Sequence, residues 1–275
     1  MTEYITVNSV EDIKEKLYGR SAYYIAGGTD IMVEKKDSIL SDRPWVDISG
    51  IDGIYGISEE DSFIRIGAMT TVSDIADSEL IKEKAKALKD AASFLGSPLI
   101  RNLATIGGNI ANCNPAADTI PALSALGAVL VLEKSGGSRM VPVDEFPTGP
   151  GRNILRENEI ITAVKIPVSE TSRSGFMKLG ARRSLAISKI SMALWWVRER
   201  GKIKDIRIAM GSVGPACIRA LKTEEVLRGK EKTPEIVEEA AETIIYESTP
   251  IDDFRSTKSY RRQMAVVLFR RLMGR

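Results

Sequence analysis

Short apolar runs separated by glycine-rich or acidic turns make up the first part of the chain. The pattern predicts a helix that begins after Ser9, a good N-cap residue, and ends near Tyr18. Residues 23–26 are predicted as a strand that stops at a Gly-Gly pair, and residues 45–48 as another. We therefore expect a small α/β unit over residues 1–53.

Paired apolar segments around polar turns dominate the chain after residue 54. Two pairs predict β-hairpins, one around the acidic loop 58–62 and one around a Gly-Gly turn. Two stretches rich in alanine and leucine predict helices, and an apolar strand closes the unit at residue 168. The predicted strands are residues 54–57, 63–67, 129–132, 140–143 and 160–166, and the predicted helices are residues 78–95 and 117–126.

A polar linker, residues 168–174, is predicted to lead into a last unit over residues 169–275. Three long apolar segments there predict a three-stranded antiparallel sheet, and three later stretches predict helices. The predicted strands are residues 175–179, 187–197 and 203–210, and the predicted helices are residues 221–227, 234–246 and 259–273. The fold class is thus α+β, with domains at 1–53, 54–168 and 169–275.

Two features of this last unit raise the question of a partner. Trp195 and Trp196 are successive strand residues and face opposite sides, so we expect one in the core and the other under a partner subunit. Arginines such as Arg262 and Arg271 crowd the last helix, which indicates either a solvated face or a docking surface for an acidic partner.

Composition removes several function classes. The 275 residues include 39 Lys+Arg and 37 Asp+Glu, a net charge of +2, so no general field attracts nucleic acid. The absence of histidine excludes histidine catalysis and histidine-ligated metals. Two cysteines are too few for a disulfide framework or a four-cysteine cluster. Neither a membrane-spanning apolar run nor a secretory signal is visible, so we expect a cytoplasmic protein.

Two Gly-Gly turns are the best candidates for chemistry: residues 26–30, Ala-Gly-Gly-Thr-Asp, and residues 105–109, Thr-Ile-Gly-Gly-Asn. A Gly-Gly pair between a strand and a helix lets backbone amides approach a pyrophosphate closely. Taken singly, each such turn is more often an ordinary tight turn, and the presence of two in one chain makes a ligand site and a tight turn equally good interpretations. No P-loop motif occurs, and residues 149–154 lack the third glycine of a dinucleotide-binding fingerprint.

Several segments in the same order resemble one family. Besides the two glycine turns, residues 112–118 (Asn-Cys-Asn-Pro-Ala-Ala-Asp), 159–161, 176–180 and 259–265 are similar to the FAD-binding subunits of the molybdenum hydroxylases, which include xanthine dehydrogenase and carbon monoxide dehydrogenase. The resemblance covers essentially the whole chain. It implies an FAD-binding fold of the vanillyl-alcohol-oxidase-like (PCMH-type) class, and an electron-transfer subunit that works with an iron–sulfur subunit and a molybdopterin subunit.

The resemblance also implies roles for individual residues. The first turn would hold the FAD pyrophosphate, the second would form the opposite wall, and an acidic residue would accept hydrogen bonds from the ribityl chain. A lysine would offset the cofactor's charge, and two isoleucines would lie near the adenine or the ring edge. The residues are Ile25, Ala26, Gly27, Gly28, Thr29, Asp30 and Ile31; Thr105, Gly108, Asn109 and Asn112; Asp118; Lys178; Ile160 and Ile161.

Simpler roles remain open for four of these residues. Asp118 is also in position to cap the following helix, Lys178 to be a surface residue, and Ile160 and Ile161 to be core. Cys113 either approaches the flavin or packs as a small buried residue. Since the chain has no histidine, a histidyl-linked flavin is excluded and FAD is expected to bind non-covalently.

Three functions are compatible with these residues. The first is an FAD-dependent subunit that passes electrons from iron–sulfur clusters to NAD or another acceptor. The second is a stand-alone FAD oxidoreductase with its own substrate, which would need a base other than histidine. The third is a non-enzymatic scaffold of the same fold. The retained glycine pairs argue against the third, because a lost site has no need of close backbone approach.

Overall fold

The computed structural model describes residues 3–34, 43–182 and 185–274. Its first sheet is parallel, with strands β1 (Tyr4–Thr6), β2 (Tyr23–Ile25) and β3 (Trp45–Asp47) in the order β1-β3-β2. Helix α1 (Val10–Leu17) makes the crossover that parallel strands require, and Ser9 caps it by accepting from the amide of Asp12. The short helix α2 (Ile31–Glu34) follows β2 and buries none of its residues.

The second sheet is antiparallel and has five strands in the described chain, in the order β4-β5-β10-β6-β7. A separate two-stranded ribbon joins β8 to β9. The strands are β4 (Ile57–Glu60), β5 (Phe63–Gly67), β6 (Val129–Lys134), β7 (Gly137–Pro142), β8 (Pro147–Gly149), β9 (Arg152–Asn153) and β10 (Ile160–Pro167).

Six helices lie between β5 and β6, and their buried alanines and leucines pack on the five-stranded sheet to form the largest core. Helix α8 is buried along its whole length, which suits a helix between two sheets. The helices are α3 (Val72–Asp77), α4 (Glu79–Lys84), α5 (Lys86–Phe94), α6 (Pro98–Arg101), α7 (Ile106–Ala111) and α8 (Thr119–Leu126).

The third sheet is antiparallel, in the order β11-β12-β13-β14. One face packs on the central core, and the other forms a core of its own with three helices. The strands are β11 (Ser172–Gly180), β12 (Ser188–Glu199), β13 (Lys202–Gly211) and β14 (Ile218–Arg219), and the helices are α9 (Leu221–Leu227), α10 (Pro234–Glu247) and α11 (Lys258–Met273). The domain limits at residues 53 and 168 stay a prediction.

Two predicted elements are wrong in their bounds. The first strand of the acidic hairpin begins at Ile57, so Glu59 and Glu60 lie in the strand and not in the loop. As an edge strand, β4 tolerates charge on both faces, and these acids pair with Lys84 and Lys165. The single helix predicted over residues 78–95 is broken at Ala85 into α4 and α5.

The last unit corrects three further predictions. Strand β11 begins at Ser172, so the last three residues of the predicted linker, 172–174, belong to the sheet and pair with the long β12. A two-residue fourth strand, β14, extends the predicted three-stranded sheet and is too short to show a periodicity. Trp196 is buried against the helices of this chain and not under a partner, while Trp195 faces the central core.

The arginines of α11 divide between two roles. Arg261 is buried, and its guanidinium donates to Asp253 and to the carbonyl of Ser212. Arg270 pairs with Glu238 of α10, whereas Arg262 and Arg271 are exposed. Among the described helices, none is both long and apolar enough to cross a membrane.

Candidate functional site

The first glycine turn connects β2 to α2 and requires glycine at two positions. Gly28 has a φ of +70°, a conformation that side chains rarely adopt. A Cβ on Gly27 would lie 1.8 Å from the carbonyl oxygen of Leu103, which no side chain could accept. Gly27 is therefore the point at which the first turn packs directly on the backbone that leads into the second turn.

The amides of this turn are available to a ligand. The N–H groups of Gly27, Gly28, Thr29 and Asp30 donate to no other residue in the described ranges. Backbone amides in folded proteins are normally paired, so four free donors in sequence form a place where an anion can be bound. Ile25 and Ile31 flank the turn and are only half-buried.

The second glycine pair lies inside helix α7, and this corrects its interpretation as a turn whose amides face a ligand. Thr105 caps the helix, accepting from the amide of Gly108 at 3.1 Å. The amides of Ile106 and Gly107 donate to the carbonyls of Thr70 and Ala68. A Cβ on Gly107 would lie 2.7 Å from the Cβ of Ala68, so that glycine serves helix packing.

The two glycine segments are joined by side chains as well as by backbone. The side chain of Asn112 lies close enough to the carboxylate of Asp30 to lower its pKa. Burial and the nearby Glu34 outweigh Asn112, so the pKa of Asp30 is raised. Asn109 accepts from the hydroxyl of Thr119 at 2.5 Å, which ties α7 to the start of α8. The second glycine segment thus forms one wall of the candidate site and contributes side chains to it.

Asp118 and Lys178 form a buried ion pair beside this wall. The Lys178 Nζ atom lies 2.5 Å from Asp118 Oδ2, and the two side chains are only 8% and 6% exposed. Lys178 also donates to the carbonyl of Phe94 at 3.3 Å. Lys178 is therefore not a surface residue. Asp118 precedes α8 but its side chain caps no amide, so the capping role is excluded too.

The second oxygen of Asp118 has no partner. Oδ1 is buried and accepts no hydrogen bond from any described residue. Burial raises the pKa of Asp118 to about 6, although Lys178 pulls it the other way. A buried carboxylate oxygen without a donor is costly, and a hydroxyl-bearing ligand would satisfy it.

The remaining predicted residues are less accessible. Ile160 and Ile161 lie at the start of β10, buried in two different cores, so their side chains are structural and a ligand could meet only their backbone. Cys113 is buried too, and burial raises the pKa of its thiol to about 11, which suits packing and not chemistry. A cofactor contact by any of the three stays a prediction.

Sequence reasoning missed an apolar rim around these residues. Phe94, Leu99 and Leu103 are 51%, 77% and 60% exposed. The carbonyl of Phe94 accepts from Lys178, and that of Leu103 touches Gly27. Together with Ile100, we call these residues the apolar rim. The available signal was three apolar residues close together in the short run Ser97–Leu103.

Comparison with known families matches nearly the whole chain. The family described as the FAD binding domain in molybdopterin dehydrogenase matches residues 1–169. The family described as the CO dehydrogenase flavoprotein C-terminal domain matches residues 176–275.

Individual relatives agree with these matches. The nicotinate dehydrogenase FAD-subunit of Eubacterium barkeri is 36% identical over 256 residues, covering 90% of this chain and 86% of that protein. The carbon monoxide dehydrogenase medium chain of Hydrogenophaga pseudoflava is 32% identical over 93% of this chain and 89% of that protein. A solved carbon monoxide dehydrogenase from the same organism superposes with a TM-score of 0.94 at 31% identity, covering 99% of this chain and 96% of that one. The predicted fold class is confirmed.

Proposed function

Because this chain belongs to the family of FAD-binding subunits of the molybdopterin dehydrogenases, we propose that it holds FAD non-covalently and passes electrons through it. The electrons would come from iron–sulfur clusters on one partner subunit, after substrate oxidation at a molybdopterin subunit. NAD or another carrier would accept them. When bound, FAD supplies the redox chemistry, and the residues of this chain bind and orient it.

The observation that carries the proposal is the row of free amides in the first glycine turn. Gly27, Gly28, Thr29 and Asp30 offer donors that the described chain leaves unused, which suits the FAD pyrophosphate. The close approach of Gly27 to Leu103 keeps this row against the wall formed by α7. Thr105, Gly108, Asn109 and Asn112 would then bound the pyrophosphate from the other side.

The pair of Asp118 and Lys178 supports the same ligand. The unpartnered Oδ1 atom of Asp118 would accept hydrogen bonds from ribityl hydroxyls, since an ionised carboxylate accepts and does not donate. Lys178 holds that carboxylate in place through Oδ2 and adds a positive charge next to an anionic cofactor. The ion pair therefore positions the acceptor.

The apolar rim supports the proposed partners. Exposed side chains such as Leu99 and Leu103 border the candidate flavin site, and contiguous apolar surface often marks a protein interface. We assign this face to the subunit that delivers electrons. Groups of acids and cysteines suited to a metal are absent from the described residues. Cytoplasmic location stays a prediction.

The relatives do not decide the substrate. Their names refer to nicotinate and carbon monoxide, and in a multi-subunit hydroxylase the substrate reacts on another chain. A stand-alone oxidoreductase or a scaffold would lack the predicted partners or the predicted cofactor. Co-purification of iron–sulfur and molybdopterin subunits distinguishes the proposed function from a stand-alone oxidoreductase. Bound flavin distinguishes it from a scaffold.

A matched pair of glycine substitutions tests the role of the first turn. Gly27→Ala forces a Cβ against the Leu103 carbonyl, whereas at Gly137, in β7, a Cβ meets nothing within 4 Å. We expect Gly27→Ala to lose FAD on gel filtration while Gly137→Ala keeps it. Circular dichroism confirms that both variants are folded. A folded Gly27→Ala that retains FAD as well as the wild type would refute the role of this turn.

A further inference from the structure

A cavity lies at the other end of the third sheet from Lys178. The cavity of 380 Å³ is lined by Thr171, Arg173, Trp196, Arg198, Arg200 and Gly201, and we call it the arginine cavity. Arg173 and Lys178 are five residues apart on β11, or about 17 Å at the usual rise per residue. The arginine cavity is therefore separate from the candidate flavin site.

The charges of the cavity are not neutralised by the described chain. Arg173, Arg198 and Arg200 form no ion pair with any described acid. Two acids close to them in sequence are engaged elsewhere, because Glu199 pairs with Lys204 at 3.1 Å and Glu170 with Lys84 at 3.7 Å. In a chain with a net charge of only +2, this is a local excess of positive charge.

The backbone places one of these arginines at an unusual position. Arg200 and Gly201 form the two-residue turn between β12 and β13, with φ values of +50° and +83°. Both central residues of such a turn have positive φ, and asparagine or glycine is preferred there. Arg200, in the first position, is strained by its positive φ, and it adds a guanidinium group to the cavity. Arg198, which is exposed, donates to the Gly201 carbonyl at 3.2 Å.

A nearby lysine responds to the same charges. Burial, and then the positive charges of Arg198 and Arg173, lower the pKa of Lys232. Its ammonium group donates to the carbonyl of Met273, a neutral partner. Lys232 therefore adds another positive charge beside the arginine cavity and does not neutralise the arginines.

We propose that the arginine cavity binds a small diphosphate anion, either free pyrophosphate or the diphosphate group of a nucleotide. Guanidinium groups match phosphate oxygens with two parallel hydrogen bonds, and the Thr171 hydroxyl can donate another. The volume lies in the range of small-molecule sites. A concave site favours a small anion over an acidic protein segment. Electron transfer through FAD does not require the arginine cavity, so this proposal adds a binding site to the proposed function.

Calorimetry on the FAD-loaded full chain tests the proposal, with pyrophosphate and ADP as titrants at physiological ionic strength. We expect one saturable site. Arg173→Gln and Arg198→Gln should each weaken binding about tenfold, the usual effect of losing a charge-assisted hydrogen-bond pair. Arg262→Gln is the matched control, because Arg262 is an exposed arginine of α11 outside the cavity. Equal affinities for the two titrants indicate recognition of the diphosphate alone, and tighter ADP binding indicates a nucleotide.

Three outcomes would overturn the proposal. They are no saturable binding of either titrant, an equal loss in Arg262→Gln, and binding of polyglutamate without binding of pyrophosphate. The substituted arginines are exposed, so unchanged melting temperatures are expected. A second measurement needs no variant: pyrophosphate should protect Arg173, Arg198 and Arg200 from phenylglyoxal in the wild-type chain. Unprotected arginines would contradict the proposal.

Discussion

Acidification is expected to weaken FAD binding, because it protonates the carboxylate of Asp118. Burial raises the pKa of this group to about 6 in the chain without ligand. Only the ionised form accepts hydrogen bonds at both oxygens and pairs with Lys178. FAD should therefore bind the ionised form and release a proton when the solution is below pH 6.

The size of the effect follows from the ionised fraction. With a pKa of about 6, roughly nine-tenths of the chains carry ionised Asp118 at pH 7 and roughly one-tenth at pH 5. Apparent affinity scales with the competent fraction. The dissociation constant for FAD should therefore rise about tenfold between pH 7 and pH 5 from this group.

Quenching of flavin fluorescence measures this affinity from pH 5 to pH 8. Asp118→Asn removes the titrating group, so its affinity at pH 7 should be about tenfold weaker and its pH profile flatter. The substitution also leaves Lys178 buried without an acid, which costs about 3–5 kcal/mol of folding free energy. Asp118→Asn combined with Lys178→Met removes both charges and should recover most of that stability.

The result that would refute this reasoning is a wild-type profile as flat as that of Asp118→Asn. It would mean that Asp118 does not accept a hydrogen bond from FAD, whatever its pKa in the free chain. A steep profile that persists unchanged in Asp118→Asn would assign the titration to another group.

Three other changes have defined outcomes. Arg139→Ala should lower the free energy of unfolding in urea at pH 7 by about 3–5 kcal/mol, because the buried Glu159 carboxylate loses two hydrogen bonds of 2.8 Å from Arg139. Since Arg139 lowers the pKa of Glu159, the difference from wild type should shrink as the pH falls below 4. A difference that stays constant with pH contradicts this. Cys113, with a pKa of about 11, should resist a thiol reagent at pH 8 until urea unfolds the chain. Leu99→Glu in the apolar rim should abolish co-purification of partner subunits without loss of FAD, whereas Leu221→Glu, also exposed, should not.

The first glycine turn could be predicted from the sequence, but the packing contact that requires glycine there could not. The order strand, Gly-Gly, short helix was predictable from residues 23–34. That Gly27 touches the Leu103 carbonyl depends on packing between segments far apart in sequence, which no local pattern encodes. The same holds for the second pair, which lies inside a helix that Thr105 caps.

Other errors had the same tertiary origin. Residues 78–95 have the composition of one helix, yet the helix breaks at Ala85 and the amide of Ala87 donates to Ser174 of β11. Helix α3 was missed although Thr71 and Asp74 form a capping box that the sequence displays. Asp118 and Lys178 were chosen separately, and their pairing across 60 residues appeared only in the fold.

The visible spectrum of the purified chain tests the central claim most directly. The flavoprotein account predicts a bound, non-covalent flavin, or one restored by added FAD, that dithionite reduces anaerobically and that NAD or another carrier then reoxidises. Precipitation with acid should release the flavin, because a non-covalent cofactor leaves the chain when it unfolds. A colourless, folded chain that takes up no FAD would contradict the account.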